Sequence, residues 1–224
     1  MYKKLMTGLL ALVAFAALAL PAAASASPEI GETNAGVWSK LAVGTGITGT
    51  LVNGASKMTS PGGATLTECA VAHQGGTLFE NSGTSIKGEI TTASFTNAGG
   101  AECSTFFGGT TKVTTNVGNG TPWCIQTTKT ADQVEIRGGK CSEAPRSITF
   151  VLDTSTGGVC KYNSTTFPTG NFTTDVSGQD AVVTLTKAGL WKLEEGGFLC
   201  PSEANLDMSF TLEKANSNTP LYIR

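Results

Sequence analysis

Six cysteines are the residues in this chain best equipped for chemistry: Cys69, Cys103, Cys124, Cys141, Cys160 and Cys200. A thiolate can attack an electrophile, bind a soft metal or join a second sulfur. Nucleophilic use requires a free thiol beside a base, and His73 is the lone histidine. No two cysteines have the short C-x-x-C type of spacing found in zinc sites, so neither a metal nor any other cofactor is expected. An even count favours disulfides, with several connectivities open.

The remaining reactive groups form no constellation. There is no G-x-S-x-G elbow. Thr84-Ser85-Ile86-Lys87 approaches S-x-x-K but has Thr in the nucleophile position. His73 precedes Gln74-Gly75-Gly76, a turn signal, and reads as a solvated turn residue. Glu68, Glu80, Glu89, Glu194 and Glu195 are candidate carboxylates for glycoside cleavage, but no spacing brings two of them across a groove. They read as surface charges on strands. Asp153-Thr154-Ser155-Thr156-Gly157 lacks the further acidic positions of a calcium loop and reads as a turn. No catalytic residue is assigned, and the expectation is a protein that is not an enzyme. The N-x-[ST] sequons at Asn119, Asn163 and Asn171 hint at surface loops over 119–121 and 163–173. Trp123, Trp191 and Tyr162 could stack on a sugar face if exposed. The competing and preferred reading places the tryptophans in the core, as in many sandwiches.

The elements that must carry these residues begin with a leader. Met1-Tyr2-Lys3-Lys4 is basic, Leu5 to Leu20 is uncharged and apolar, and Ala24-Ser25-Ala26 fits a cleavage site. Residues 1–26 therefore read as a signal peptide, and the mature protein is expected to be secreted without a membrane span. No lipobox cysteine or hydrophobic C-terminal anchor is read, so surface retention is expected to be non-covalent. Removing Lys3 and Lys4 leaves 13 basic against 17 acidic residues, without long runs of either. That balance argues against nucleic acid or an anionic membrane as partner, since both need clustered Lys and Arg.

The mature chain holds 33 threonines and seven Gly-Gly dipeptides. Threonine favours pleated surfaces and glycine permits tight turns, so the pattern predicts an all-β, antiparallel β-sandwich or barrel-like meander. A single domain over 27–224 is expected, with a weak seam near 118–122. Residues 27–36 read as a loose lead-in. Strands are read at 47–52, 64–72, 84–96, 110–117, 123–128, 133–137, 181–186, 190–193, 206–213 and 221–223. The 110–117 strand reads as near an edge. In 84–96, Ile86, Ile90 and Phe95 do not share one face, which a bulge or a break near Thr91-Thr92 would reconcile. Leu206, Met208, Phe210 and Leu212 alternate with Asp207, Ser209, Thr211 and Glu213, predicting a buried and an exposed face. Ile148, Phe150 and Leu152 are likewise read as facing inward.

Pro122-Trp123, Cys160-Lys161-Tyr162, Leu199-Cys200-Pro201 and Pro220-Leu221-Tyr222, set among Thr-rich strands, complete a pattern. It resembles an uncharacterised group of secreted, cysteine-containing all-β proteins of high-GC soil bacteria. The resemblance implies export and a disulfide-bearing β fold, and it brings no known activity. Cys124 and Cys141 look like an addition to a commoner four-cysteine pattern.

Pairing between sequence neighbours is expected: Cys69–Cys103, Cys124–Cys141 and Cys160–Cys200. It suits successive strands lying side by side, and the resemblance supports the last pair. The first and third pairs form a weak internal echo that two related sheets would explain. The function expected is extracellular binding or a structural role. A glycan or cell-envelope component is the partner weighed, with a carbohydrate-binding module and, behind it, a secreted hydrolase as alternatives. An outer-membrane barrel is disfavoured by the cysteines and the Thr-covered surface.

Overall fold

The computed structural model describes residues 28–52, 54–105, 108–117, 121–127, 133–173, 180–217 and 219–223. The leader 1–26, the stretch 129–132 between the strands expected at 123–128 and 133–137, most of the seam at 118–122 and the sequon asparagine Asn119 lie outside these residues. Among the described residues there is no α-helix, and one 3-10 turn spans Ala98–Gly100. The strands in chain order are β1 (Ile30–Asn34), β2 (Val37–Lys40), β3 (Gly46–Leu51), β4 (Ser56–Thr59), β5 (Thr65–Cys69) and β6 (Val71–Asn81). There follow β7 (Ile86–Thr96), β8 (Cys103–Thr105), β9 (Gly109–Thr115), β10 (Trp123–Thr127), β11 (Gln133–Gly138) and β12 (Thr149–Thr154). The last are β13 (Val159–Ser164), β14 (Thr169–Thr173), β15 (Val182–Gly196), β16 (Glu203–Lys214), β17 (Thr219–Pro220) and β18 (Tyr222–Ile223).

Pairing closes these strands into two antiparallel rings that share β15 and β16. The first runs β16-β3-β6-β7-β10-β11-β14-β15 and returns to β16. The second runs β16-β4-β5-β8-β9-β12-β13-β15 and also returns to β16. Closure satisfies strand edges that an open sheet would leave unpaired. The shared strands serve both rings because they are long. Val182–Leu185 pair with Thr211–Met208 in the first ring, whereas Trp191 and Lys192 pair with Ala204 and Glu203 in the second. Between these stretches Lys187 (φ 46°) and Gly189 (φ 71°) adopt left-handed backbone, and the register shifts on both sides of Ala188. The sequence reads two strands there, at 181–186 and 190–193. The structure has one, bent by bulges that carry it from ring to ring.

The alternation read from β16 holds on its apolar side: Leu206, Met208, Phe210 and Leu212 are all buried. Asp207, Ser209 and Glu213, expected to be exposed, are half-buried, because β16 is flanked by β15, β3 and β4 along its length. In β7, Gly75 and Gly76 of the neighbouring strand face Thr92 and Ile90 respectively, leaving Thr91 as the extra residue. That bulge turns Ile86, Ile90 and Phe95 inward together, as the pattern requires. Ile148, Phe150 and Leu152 are also buried.

Three expectations change. The 27–36 lead-in is not loose: β1 pairs with both β2 and β18, and Ile30 is fully buried. Asn81, at the end of β6, fixes this small sheet to the first ring. Its Oδ1 accepts the Ile30 N–H at 3.1 Å, and its Nδ2 donates to the Ile30 and Leu41 carbonyls at 2.8 and 3.0 Å. The 110–117 strand is not at an edge, since β9 lies between β8 and β12. The 64–72 strand breaks at Ala70, where the chain leaves β5 in the second ring and enters β6 in the first.

The three disulfides join sequence neighbours as expected, with Cα–Cα distances of 4.6 Å for Cys69–Cys103, 4.9 Å for Cys124–Cys141 and 5.6 Å for Cys160–Cys200. The echo does not mark two sheets. Cys69–Cys103 and Cys160–Cys200 both belong to the second ring and its core, while Cys124–Cys141 ties β10 of the first ring to the loop after β11. No helix among the described residues is long and apolar enough to cross a membrane.

Candidate ligand-binding cavity

In a closed β-barrel every second residue of each strand points inward, and eight strands leave an interior that side chains fill or that holds one small ligand. In the first ring several inward positions carry no side chain. Gly49 sits on β3, Gly76 on β6 and Gly88 on β7, each in step with inward apolar neighbours such as Ile47, Leu78 and Ile90. The result is a cavity bounded by Ile47, Ile90, Ile125, Phe172, Phe210 and Leu212. Its volume is about 60 Å³ for the centre of a water-sized molecule. That corresponds to roughly four to six water positions. Two of the glycines are tight but not blocked: a Cβ on Gly49 would lie 3.0 Å from Phe210 Cδ2, and one on Gly88 would lie 3.2 Å from Ile125 Cγ2. Gly76 serves another purpose. A Cβ there would lie 2.1 Å from the Glu89 carbonyl oxygen, so it permits backbone contact at the bulge.

Among the described residues the lining contains no Lys, Arg or His. Its polar residues are Gln74, Thr77, Glu89 and Gln126, and of these only Gln74 is buried, at 6% exposed. The Gln74 Nε2 lies 3.9 Å from the Met208 sulfur, and Oε1 has no hydrogen-bond partner. Leaving such an oxygen unpaired costs about 1–3 kcal/mol. Sequence reasoning missed this residue because Gly75-Gly76 reads as a turn, whereas β6 runs straight through it. The usable signal was parity: Ala72, Gln74 and Leu78 all sit on even positions and all are buried.

Beyond Met208 the molecule is filled. A smaller void of about 10 Å³ lies among Trp123, Ile136, Phe150, Trp191 and Met208. Phe150 meets Phe95 edge-on at 5.4 Å and Trp191 edge-on at 5.1 Å, and it meets Trp123 tilted at 5.8 Å. The proposed stacking rings are therefore corrected: Trp123, Trp191 and Tyr162 are all fully buried and offer no face to solvent. Their polar atoms are satisfied internally. Trp123 Nε1 donates to Asn116 Oδ1 at 2.8 Å, Trp191 Nε1 to the Ala188 carbonyl at 2.8 Å and Tyr162 OH to the Pro201 carbonyl at 3.0 Å. Burial pushes the Tyr162 phenol up to about 12.

The titratable candidates stay apart. Glu80 binds Lys87 Nζ at 2.5 Å and also accepts from the Ser85 and Ser82 hydroxyls; together, led by Lys87, they hold its carboxyl at about 2. Glu68 pairs with Lys57 at 3.2 Å. Glu194 pairs with Lys161 at 2.7 Å, a bond that lowers the carboxyl and raises the ammonium. Glu195 is exposed beside them on β15. The Glu89 carboxylate accepts the Cys141 N–H at 2.8 Å. His73 is solvated but stands on β6 opposite Ser94, not in a turn. Thr84 lies in the β6–β7 turn, and Thr154–Gly157 forms the β12–β13 turn. Asn163 and Asn171 lie on β13 and β14, so the loop expected over 163–173 shrinks to the stretch between those strands. Asn163 Oδ1 accepts from the Thr149 hydroxyl at 2.6 Å. No group of three or more metal-binding side chains occurs among the described residues. Compared with protein-family descriptions, with curated proteins and with solved structures, the chain finds no match.

Proposed function

We propose that this is an exported, non-enzymatic binding protein that takes up a small apolar molecule inside its first ring. The cavity between Phe172, Phe210, Ile90 and Ile125 carries the reading. An apolar void of this size that is not filled by side chains costs stability unless something enters it. Two further features support export. Residues 1–26 have the makeup of a signal peptide, and three disulfides suit an oxidising compartment. The resemblance to secreted β proteins points the same way. The burial of Trp123, Tyr162 and Trp191 weakens the rival sugar-stacking reading.

The test is thermal unfolding of the secreted, oxidised protein with and without benzene. A ligand that binds only the folded state raises Tm with concentration. The rise is expected in the wild type and absent in Ile90→Phe, which fills the cavity. No rise at saturating benzene overturns the reading. Intact mass of the exported chain checks the leader: a mature protein starting at Ser27 is expected, and retention of residues 1–20 would overturn export.

A further inference from the structure

Among the described residues that line the cavity, Ile30 alone belongs to none of the ring's own strands. It comes from β1, in the small sheet built from both chain ends. Its companions in the lining include Ile47 at the start of β3, Leu78 near the end of β6, Ile86 at the start of β7 and Phe172 near the end of β14. In an antiparallel ring these starts and ends fall at one end of the ring. We infer that the sheet of β1, β2 and β18 is a lid over that end, that Asn81 is its latch, and that small apolar molecules enter and leave the cavity when it opens. The inference rests on the binding reading proposed above and adds the route to it.

The attachment of the sheet suits movement as a unit. On the β2 side the chain is fixed to the ring at Gly44 and Thr45. The Gly44 N–H donates to the Leu78 carbonyl at 2.7 Å, and the Leu78 N–H donates to the Thr45 carbonyl at 2.9 Å. Ala42 and Val43, just before this anchor, are exposed. On the β18 side the anchor is Leu221. Its N–H donates to the Leu212 carbonyl at 3.1 Å, and its carbonyl accepts from the Ala181 N–H at 2.7 Å. Tyr222 and Ile223, just beyond, pair with β1. The sheet therefore hangs between two fixed points on the ring. Asn81 supplies the main polar tie between them, with its three bonds to Ile30 and Leu41. The Glu32–Lys214 ion pair at 2.9 Å adds a partly exposed one. Because three bonds meet on one side chain, displacing Ile30 breaks them together. The same motion uncovers Ile30 and Ile223, each only 1% exposed. No strand of the ring has to separate from its neighbour, so this opening is smaller than global unfolding. Openings of this kind commonly set the rates of ligand entry and release.

Two rates on the mature, oxidised protein test the lid. Methyl exchange spectroscopy at Ile47, Ile90 and Ile125 with sub-saturating benzene gives association and release. Amide exchange in its opening-limited regime gives the opening rate of the Ile30 N–H, which Asn81 accepts. Benzene should leave no faster than that N–H opens, and faster release would overturn the lid. Asn81→Ala should raise association and release together by about tenfold or more, because even one lost hydrogen bond shifts the open fraction by close to that factor. Kd should change far less than either rate. The Phe150 and Tyr162 amides should keep their protection, which a general loss of stability would not allow. Unchanged benzene rates in a folded Asn81→Ala would overturn the lid and leave the cavity as a binding site. If that variant fails to fold, Glu32→Gln, which removes only the ion pair, should quicken both rates to a smaller degree. Unchanged rates there would overturn the lid as well. Failure of benzene to bind any of these proteins would sink the cavity reading, and the lid with it.

Discussion

The two rings share a pair of strands and a strand count yet solve opposite problems. The second is filled: Phe150, Tyr162 and Trp191 occupy its interior, and two disulfides belong to its core. The first is partly emptied: Gly49 and Gly88 stand where side chains would fill it, and its one disulfide among the described residues lies outside the hydrophobic cluster. A fold that keeps a void must draw stability from elsewhere. Here a cross-linked aromatic block borders a cavity, and β15 and β16 run through both. The comparison teaches that close packing and open space have been separated along the same two strands.

The sharpest way to break that comparison is to remove a large ring from each side. Trp191→Ala should cost about 5 kcal/mol and Phe210→Ala about 3, the ends of the range for aromatic truncation in a core. Trp191 borders only the void of about 10 Å³, whereas Phe210 faces the larger cavity of about 60 Å³ and has less packing to lose. Denaturant midpoints at constant slope would measure both. Equal losses would show that the cavity is not a distinct region, and a loss under about 1 kcal/mol for Phe210 would remove it from the core.

The disulfides come next. Replacing Cys160 and Cys200 together by Ala releases a 40-residue separation, against 34 for Cys69–Cys103 and 17 for Cys124–Cys141. The chain-entropy account gives about 4 kcal/mol for the two longer loops and about 3 for the short one. If the second ring is the stabilising block, the Cys124–Cys141 pair should be the most dispensable of the three. Chemical denaturation of the three double variants would rank them. A larger loss from the Cys124–Cys141 pair would place the main brace on the first ring.

Much of this division was legible in advance. The alternation of Leu206, Met208, Phe210 and Leu212 follows from a period of two, and a break in that period at Thr91-Thr92 left a bulge or an interruption open, which the structure resolves as a bulge. The neighbour pairing of cysteines follows from strands that pair locally. What stayed hidden was ring closure. Nothing local in β16 says that one half pairs with β3 and the other with β4, because that depends on contacts more than a hundred residues apart. The cavity was hidden for a related reason. Gly75-Gly76 looks like a turn signal wherever it occurs, and only the pairing with Thr92 and Ile90 shows a strand passing through a bulge. With the turn removed, Gln74 becomes an inward residue. Asn81 was missed likewise, since a polar residue before Ser82-Gly83 gives no hint that it pins a sheet built from both chain ends.

At alkaline pH the second ring should weaken first. Tyr162 has its folded pKa raised to about 12 from 10.0, so the buried neutral phenol contributes stability that is complete below pH 10 and lost as pH rises toward 12. Two units correspond to about 2–3 kcal/mol. Ultraviolet titration of phenolate should show Tyr162 ionising near 12, together with loss of structure. Ionisation of Tyr162 near 10 would contradict the buried placement.

Glycine substitutions test whether the void is tolerated by design of the wall or by backbone necessity. Gly76→Ala should cost about 1–3 kcal/mol, the cost of forcing atoms into a filled space, because its Cβ would meet a main-chain oxygen at 2.1 Å. Gly88→Ala should cost under about 1 kcal/mol, since the Ile125 methyl at 3.2 Å can move by a few tenths of an ångström into the cavity. Benzene-induced stabilisation should fall in Gly88→Ala. If both substitutions cost the same, the two glycines would not have separate roles.

The smallest effect expected is at acid pH, on the first ring. Glu80 is held at about 2 chiefly by its bond to Lys87, with help from Ser85 and Ser82, against an ordinary value of 4.5. A lowered carboxylate pKa contributes stability that is present above 4.5 and is lost as pH falls through about 2. The carboxylate is 31% and the ammonium 28% exposed, so water screens the pair and its contribution should stay under about 1 kcal/mol. The group sits at the β6–β7 turn, beside Asn81 and the small sheet that meets this ring. Its protonation should therefore loosen the first ring before the second. Amide exchange between pH 5 and pH 2.5, corrected for intrinsic rates, would resolve the two. Faster opening is expected at Ile86 and at Ile30, which pairs with Ile223, with little change at Phe150 and Tyr162. Glu80→Gln should abolish that pH dependence. Uniform loosening of both rings, or a pH response that survives Glu80→Gln, would show that this carboxylate does not govern the β6–β7 end of the first ring.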